Sequence, residues 1–291
     1  MILRTTFILF TLLSSLSASA TDYWKHSEQQ GEVGSCHTFA AVALVEAEYR
    51  KSTGKHINLS ERDLFVRHYI QGDKNVADSI RKQLIAATLK KLPDHYKEAG
   101  HISEDFTLLQ RHGVASEREL GYSPTFSQGV SLAIILLRQQ RNLLSTEADL
   151  LKGANSWDRP TQQKKIQQRY AKLSGVIKTL TLPADTTTRR LTKKFLSKYT
   201  LKKFTPKTTK LAKQRLIKQL AQQPVAVDIT NLSELSGNTS ILHGKHSLVA
   251  SHYHPKTDQF TIRSSTFKGA KKVAADTLAR GTYQMYYLEN K

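Results

Sequence analysis

A change of hydrophobic period near Pro224 constrains the fold of this chain more than anything else in its sequence. Before Pro224, apolar residues recur at helical spacing, most clearly from Cys36 to about Lys51 and from Thr208 to Gln222. After Pro224, short segments alternate between apolar and polar residues as strands do: Val225–Ile229, His246–Ala250, Phe260–Arg263 and Tyr283–Leu288. A helical part followed by a β part predicts an α+β fold.

Punctuating residues predict where further elements begin and end. Ser60 is the expected N-cap of a second short helix, with Asp63 three residues later. Pro255 to Asp258 is the expected turn of an antiparallel hairpin. Residues Thr186 to Thr209 mix Thr, Lys and Arg with scattered aromatic residues, and we interpret them as strand or loop. Further helices are predicted at Ser79–Leu92, Ser103–His112, Gly129–Lys152 and Gln162–Leu180.

The first 20 residues have the layout of a secretory signal peptide. Arg4 supplies the positive end, Phe7 to Leu13 form a short apolar stretch, and Ala18-Ser19-Ala20 provides a small-residue cleavage site. The apolar stretch is too short to cross a bilayer. We therefore expect a mature chain that starts near Thr21, spans residues 21–291, and is secreted or periplasmic.

Positive charge is concentrated in one segment of the chain. The net charge is +20, and residues 161–220 hold 17 Lys or Arg against the single acid Asp185. One interpretation is a solvated helical face, and the other is a surface that binds a polyanion. Base-stacking aromatic residues are sparse in this segment, which argues against sequence-specific nucleic-acid recognition.

Cys36 is the only cysteine in the chain, and it begins the first predicted helix. Unpaired backbone N–H groups and the helix dipole favour the thiolate at such a position. The alternative is a small apolar residue that starts a buried helix. Because a single cysteine cannot form an intramolecular disulfide in an oxidising compartment, we favour a free, reactive thiol.

A nucleophilic cysteine needs a base, and histidine has the suitable pKa. The chain has 11 histidines, of which His246 stands out because it begins a predicted strand directly after a loop that runs from Gly237 to Gly244. His243, His252 and His254 are the nearest alternatives in the sequence. His246 is therefore the candidate partner of Cys36.

The stretch from Gln30 to Ala40, Gln-Gly-Glu-Val-Gly-Ser-Cys-His-Thr-Phe-Ala, is similar to the nucleophile motif of the papain-like cysteine peptidases. Further segments resemble landmarks of that family in the right order: Leu59–Leu64, Gly113–Pro124, Pro224–Val227, His246–Val249 and Phe260–Ser265. The resemblance implies a papain-like two-lobe fold, with a helical lobe at about 36–180 that includes the basic insertion, a β lobe at about 223–291, and a cleft between them.

The same resemblance implies roles for site residues. Cys36 would attack an amide, His246 would act as base and acid, and the Gln30 side chain with the Cys36 N–H would stabilise the oxyanion. The family's orienting asparagine aligns with Ser264, whose shorter side chain makes it a doubtful third member of the triad. No cofactor or metal is implied, and the expected partner is a peptide or protein substrate.

Three functions remain open from the sequence. The first is a cysteine-type endopeptidase that uses Cys36 and His246. The second is a catalytically impaired binding module on the same fold, with the basic segment 161–220 as a polyanion-binding surface. The third is a thiol acyltransferase or amidase that uses the same pair on a non-peptide amide.

Overall fold

A computed structural model describes most of the segments that the sequence singles out. The described residues are 23–24, 29–30, 34–65, 100–120, 158, 160–162, 164–165, 168, 185–236, 245–267 and 269–291. The predicted signal peptide and the predicted helices at Ser79–Leu92 and Gly129–Lys152 lie outside them, as does most of Gln162–Leu180.

The helix that begins at Cys36 is the central element of the helical part. Helix α1 (Cys36–Thr53) buries every residue from His37 to Glu48, and Gly54 ends it in the left-handed conformation with φ 72°. A helix that is buried all round must be covered by other elements on each side. Helices α2 (Glu61–Phe65) and α3 (Ile102–His112) pack on it, and a 3₁₀ turn (Glu117–Leu120) follows.

The remaining described chain supplies a mixed layer of strands and helices. The elements are, in order, α4 (Thr187–Leu196), β1 (Tyr199–Phe204), α5 (Thr209–Leu220), β2 (Val225–Ile229), α6 (Leu232–Ser236), β3 (His246–His254), β4 (Gln259–Arg263), β5 (Ala270–Ala274), α7 (Ala275–Gly281) and β6 (Thr282–Asn290). The strands form one antiparallel sheet in the order β1-β6-β2-β3-β4-β5. The expected α+β class is therefore confirmed.

The two faces of the sheet pack into two different cores. On one face, Ala226, Val249 and Tyr286 join the apolar residues of α1 and α3. On the other face, Val227 and Leu248 join α5 and α7. Because neighbouring residues of a strand point to opposite faces, the central strands β2, β3 and β6 supply both cores in alternation, whereas β4 and β5 supply the second core.

The interpretation of Thr186 to Thr209 as strand or loop was wrong for its first half. Thr187–Leu196 is helix α4, and the Thr186 hydroxyl accepts a hydrogen bond from the Arg189 N–H at its start. Arg189 then reaches the buried Asp63 carboxylate of α2. Arg189 and Asp63 are 126 positions apart in the sequence, so local sequence pattern does not reveal this contact. The second half does contain a strand, β1, which joins the sheet although it precedes the predicted β lobe.

Candidate active site

Cys36 is the partly exposed first residue of α1, and the residues from His37 to Glu48 that follow it are buried. Its thiol is free. The backbone carbonyl of Ser35 accepts hydrogen bonds from the N–H groups of Thr38 and Phe39, which closes the first turn. The α1 helix therefore presents the sulfur at the boundary between the helical part and the sheet.

Ser247 of β3 lies beside Cys36, and its backbone and hydroxyl are among the groups that favour the thiolate. Burial raises the pKa of the Cys36 thiol, and the nearby Asp228 carboxylate adds to this rise. The hydrogen bonds from Ser247 and from the His37 backbone act in the opposite direction without cancelling it. The resting thiol is consequently protonated at neutral pH, unlike the thiolate expected at a helix start.

His246 is held by Ser264. The residue begins β3, is 6% exposed, and its Nε2 lies 2.7 Å from the Ser264 hydroxyl. Ser264 Oγ also accepts a hydrogen bond from the Thr266 N–H and lies 2.9 Å from the Thr266 hydroxyl. These contacts are all satisfied when Nε2–H donates to Ser264 and Ser264 donates to Thr266 Oγ1, which leaves Nδ1 of His246 as an acceptor. Burial lowers the pKa of His246 to about 4, so the ring is neutral at neutral pH.

His246 begins β3, and the next residue, Ser247, is the one that influences the pKa of the Cys36 thiol. Asp228 pairs with Ser247 and Ile229 pairs with His246 in the β2–β3 register. Adjacent strand residues point to opposite faces, and it is Ser247 that favours the thiolate. Among the described residues, the His246 ring has its hydrogen bond with Ser264 and none with the Cys36 thiol.

Gln30 is fixed beside the same strand end. Its backbone N–H donates to the Ser265 carbonyl at 3.1 Å, and the Ser265 hydroxyl donates to its side-chain Oε1 at 2.5 Å. Gln30 is 8% exposed, so these contacts hold a nearly buried amide. The contacts of Ser247 and Ser265 thus link the predicted site residues, which come from separate stretches of the chain: Gln30, Cys36, His246 and Ser264.

Two acidic residues near Cys36 were missed from the sequence. Asp105 of α3 is fully buried and lies 2.5 Å from His37 Nδ1. Asp228 of β2 is 2% exposed, and it accepts hydrogen bonds from the hydroxyls of Ser247 (2.6 Å) and Tyr286 (3.1 Å). The available signal for Asp228 was an acidic residue in an otherwise apolar strand, because a buried carboxylate requires hydrogen-bonding partners.

Burial raises the pKa of the Asp228 carboxyl. The hydrogen bonds from Ser247 and Tyr286, together with the neighbouring His101 and His37, oppose this rise. The Tyr286 hydroxyl is also in hydrogen-bond contact with the Gln284 side-chain amide. Asp228 therefore lies in a polar cluster near Cys36, on the sheet face that packs against α1.

In the described part of the chain, no helix is long and apolar enough to cross a membrane. Within the same residues, no group of three or more His, Cys, Asp or Glu side chains is arranged to hold a metal ion.

Comparisons with known proteins agree with the motif and the fold. Residues 17–75 match the family model described as papain family cysteine protease. Among solved structures, PepW from Lactobacillus rhamnosis HN001 matches with a TM-score of 0.52 and 13% identity, over 90% of this chain and 79% of that one. A Carica candamarcensis cysteine protease solved with E-64 matches with a TM-score of 0.44 and 15% identity, over 91% and 92% of the two chains. No curated protein matches in sequence.

Proposed function

We propose that this chain, which belongs to the papain-like cysteine peptidase family, hydrolyses amide bonds of peptides or proteins with Cys36 as the nucleophile. The observation that carries the proposal is that Cys36 lies beside Ser247, the residue that follows His246 in β3. At the same strand end, Ser264 holds His246 and Ser265 holds Gln30. A partly exposed thiol at that position can meet a substrate carbonyl, whereas the buried groups around it keep a fixed geometry.

The proposed reaction is acyl transfer through a thioester. The Cys36 sulfur attacks the carbonyl carbon, the amine leaves with a proton, and water then hydrolyses the thioester. The Gln30 amide and the Cys36 N–H are the proposed oxyanion donors. His246 is the base implied by the family, and the arrangement with Nε2–H toward Ser264 supports this role by leaving Nδ1 able to accept a proton.

The protonated resting thiol has a consequence for the pH profile. Because both the thiol and the His246 ring are neutral at neutral pH, the pair does not rest as a thiolate–imidazolium ion pair. The thiol must lose its proton during the attack. We therefore expect hydrolysis to increase from pH 6 to pH 8, as the thiolate fraction increases.

The test uses the single cysteine. The mature protein is incubated with a peptide mixture of broad sequence, and cleavage products are identified by mass spectrometry beside the Cys36→Ala variant. Labelling by an epoxysuccinyl inhibitor is measured in parallel, with Gln30→Ala as a variant that keeps the thiol. The proposal expects cleavage that needs Cys36 and decreases in Gln30→Ala. Inhibitor labelling without cleavage of any peptide would reject the peptidase, and cleavage of non-peptide amides alone would favour the amidase or acyltransferase.

A second candidate function, a basic binding module on the same fold, rests on the exposed lysines of α4, β1 and α5. Helix α4 packs in the core with α1, whereas α5 packs on the other face of the sheet, so their cations flank the edge strand β1 on both sides. Exposed lysines for which the described residues supply no ion pair are Lys193, Lys194, Lys198, Lys203, Lys207, Lys210 and Lys218. The chemistry of this surface suits a polyanion.

We also propose that the chain is exported and that cleavage after Ala20 gives the mature N-terminus. The supporting observation is the signal-peptide layout of residues 1–20. N-terminal sequencing of protein recovered from the periplasm or medium tests this directly, since an intact Met1 would contradict it.

A further inference from the structure

The end of β3 that lies away from His246 carries two histidines on one face of the sheet. His252 and His254 are separated by one residue, and both side chains are partly exposed. Tyr253, which lies between them, packs against the second core, so the two histidines point to the opposite face. Their ring centroids are 4.6 Å apart. Two imidazole rings thus meet at one place on the surface.

The spacing of the two rings suits chelation of a single metal ion. Imidazole nitrogen binds ions such as Zn²⁺ at about 2.0–2.1 Å. When two rings bind one ion at square-planar or tetrahedral angles, this bond length places their centroids about 4.5–5 Å apart. The observed separation of 4.6 Å falls within that range. The strand therefore holds the rings at the distance that a shared ion requires.

Thr261 of β4 orients one of the two rings. Its Oγ1 lies 2.7 Å from Nε2 of His254, and Thr261 is itself 5% exposed. With Nε2–H donating to this hydroxyl, Nδ1 of His254 carries the lone pair that a metal ion needs. Histidine ligands of metal sites typically donate their other ring N–H to an oxygen in this way, which fixes the tautomer and the ring orientation.

Two basic residues share this face of the sheet. Lys272 of β5 is paired with Thr261, and its charge opposes binding of a cation. Arg263 of β4 points to the same face, but its guanidinium lies over the Trp24 ring and 3.9 Å from the Glu46 carboxylate. Lys272 is therefore the basic residue whose charge the site has to overcome.

The acidic residue of the adjoining turn faces away from the two histidines. Asp258 accepts hydrogen bonds from Lys213 and from Tyr253, on the side of the second core. The ligands that the two histidines offer are therefore nitrogen atoms, without a carboxylate from this turn. Imidazole ligands favour Cu²⁺, Ni²⁺ and Zn²⁺, whereas Mg²⁺ and Ca²⁺ prefer oxygen.

We propose that His252 and His254 form a two-ligand site for a divalent first-row transition-metal ion, with Cu²⁺ bound most tightly, as the Irving–Williams order requires. Water completes the coordination, because the described residues hold no group of three or more ligating side chains. His246 begins β3 and His254 ends it, so the metal site is separate from the proposed peptidase site. Its test needs no peptide cleavage.

The experiment titrates Cu²⁺ into the full mature chain by calorimetry, without an added histidine tag and in a Cys36→Ala background, because a free thiol binds and reduces copper. The affinity is expected to fall by about 10²-fold in His252→Gln and in His254→Gln, since either change removes the chelate. The double variant should lose little more than either single variant. Pulsed electron paramagnetic resonance should detect two imidazole ligands in the parent and one in each single variant.

Four further variants test the supporting residues. Thr261→Val keeps the shape of the side chain but removes the acceptor for His254, and should lower the affinity for Cu²⁺ by about tenfold. Lys272→Gln should raise it by about two- to fivefold, because a surface charge is lost. Its matched control is Lys271→Gln, because Lys271 points to the other face and donates to the Ser236 carbonyl. Both Lys271→Gln and His112→Gln, at an exposed histidine of α3, should bind Cu²⁺ as the parent does.

A double variant that binds Cu²⁺ as tightly as the parent overturns the proposal, and so does a parent that binds Mg²⁺ as tightly as Cu²⁺. Unfolding midpoints without metal establish that each variant is folded. If the double variant does not fold, the resonance spectrum of the parent decides: two imidazole ligands that Thr261→Val weakens support the site, and a spectrum without imidazole coupling overturns it.

Discussion

Ser264 Oγ lies 2.7 Å from Nε2 of His246, although a whole hairpin separates the two residues in the sequence. A serine side chain is shorter than an asparagine, yet it makes this contact directly. Ser264 follows the last residue of β4, and the pairing of β4 with β3 brings it to the start of β3. The contact that orients the His246 ring is thus made by a hydroxyl.

Ser264→Ala is expected to leave the buried Nε2–H of His246 without an acceptor. The free energy of unfolding should decrease by about 1–3 kcal/mol, and kcat/KM should decrease with it, because the ring loses its orientation. Denaturant unfolding and peptide hydrolysis measure the two effects. The matched control is Ser251→Ala, which removes a long 3.4 Å hydrogen bond from a buried serine of the same region. Equal effects of the two variants would contradict a specific role for Ser264.

The pH dependence of stability should reveal the buried His246. Its pKa of about 4 in the folded chain lies below the ordinary value near 6.5, so the unfolded state binds more protons between these pH values. Stability is therefore expected to decrease as the pH falls from about 6.5 to about 4, by about 3 kcal/mol in total from this residue. The His246→Gln variant should not show this decrease in stability, whereas the control His112→Gln, at an exposed histidine, should show it in full. Parallel stability curves for the parent and His246→Gln would contradict the buried neutral ring.

Gly100→Ala should disturb the His37–Asp105 contact. A Cβ at position 100 would lie 2.6 Å from His37 Cε1, and the His37 ring is held by Asp105 at 2.5 Å. Overpacking against a ring that cannot move away typically costs about 1–3 kcal/mol of unfolding free energy. Thermal or denaturant unfolding measures the cost. In a His37→Ala background the same glycine substitution should cost little, and an equal cost in both backgrounds would show that the ring is not the cause.

The basic surface should bind polyanions with a steep dependence on salt. We expect the affinity for a mixed-sequence single-stranded oligonucleotide to decrease as the salt concentration rises. Each lysine that contacts a phosphate contributes about 0.7 to the slope of log K against log salt. Changing Lys203, Lys207 and Lys210 to Gln should therefore make this slope less steep by about 2. Fluorescence anisotropy between low and high salt measures this slope. A control with Lys55, Lys256 and Lys272 changed to Gln removes the same charge elsewhere on the exposed surface. Affinity that does not change with salt would reject the basic binding module.

Local pattern predicted those elements whose own residues decide their structure. The helix that starts at Cys36, the helix predicted from Thr208 to Gln222 and the strand pattern after Pro224 all depend on short-range spacing. Helix α4 was misinterpreted because its stability comes from distant partners. Its Arg189 is buried against Asp63, so basic residues that suggested a loop are in fact part of a packed helix.

The sequence by itself determined the α+β class, the place of Cys36 at a helix start, and the candidates Gln30, His246 and Ser264, because these follow from periodicity and from an ordered series of motifs. Only the tertiary structure decided the environment of Cys36. Burial raises its pKa against the helix dipole, and strand pairing places Asp228, whose charge also raises this pKa, directly opposite Ser247. Burial and strand register depend on which distant segments pack together, and short-range sequence pattern does not contain that information.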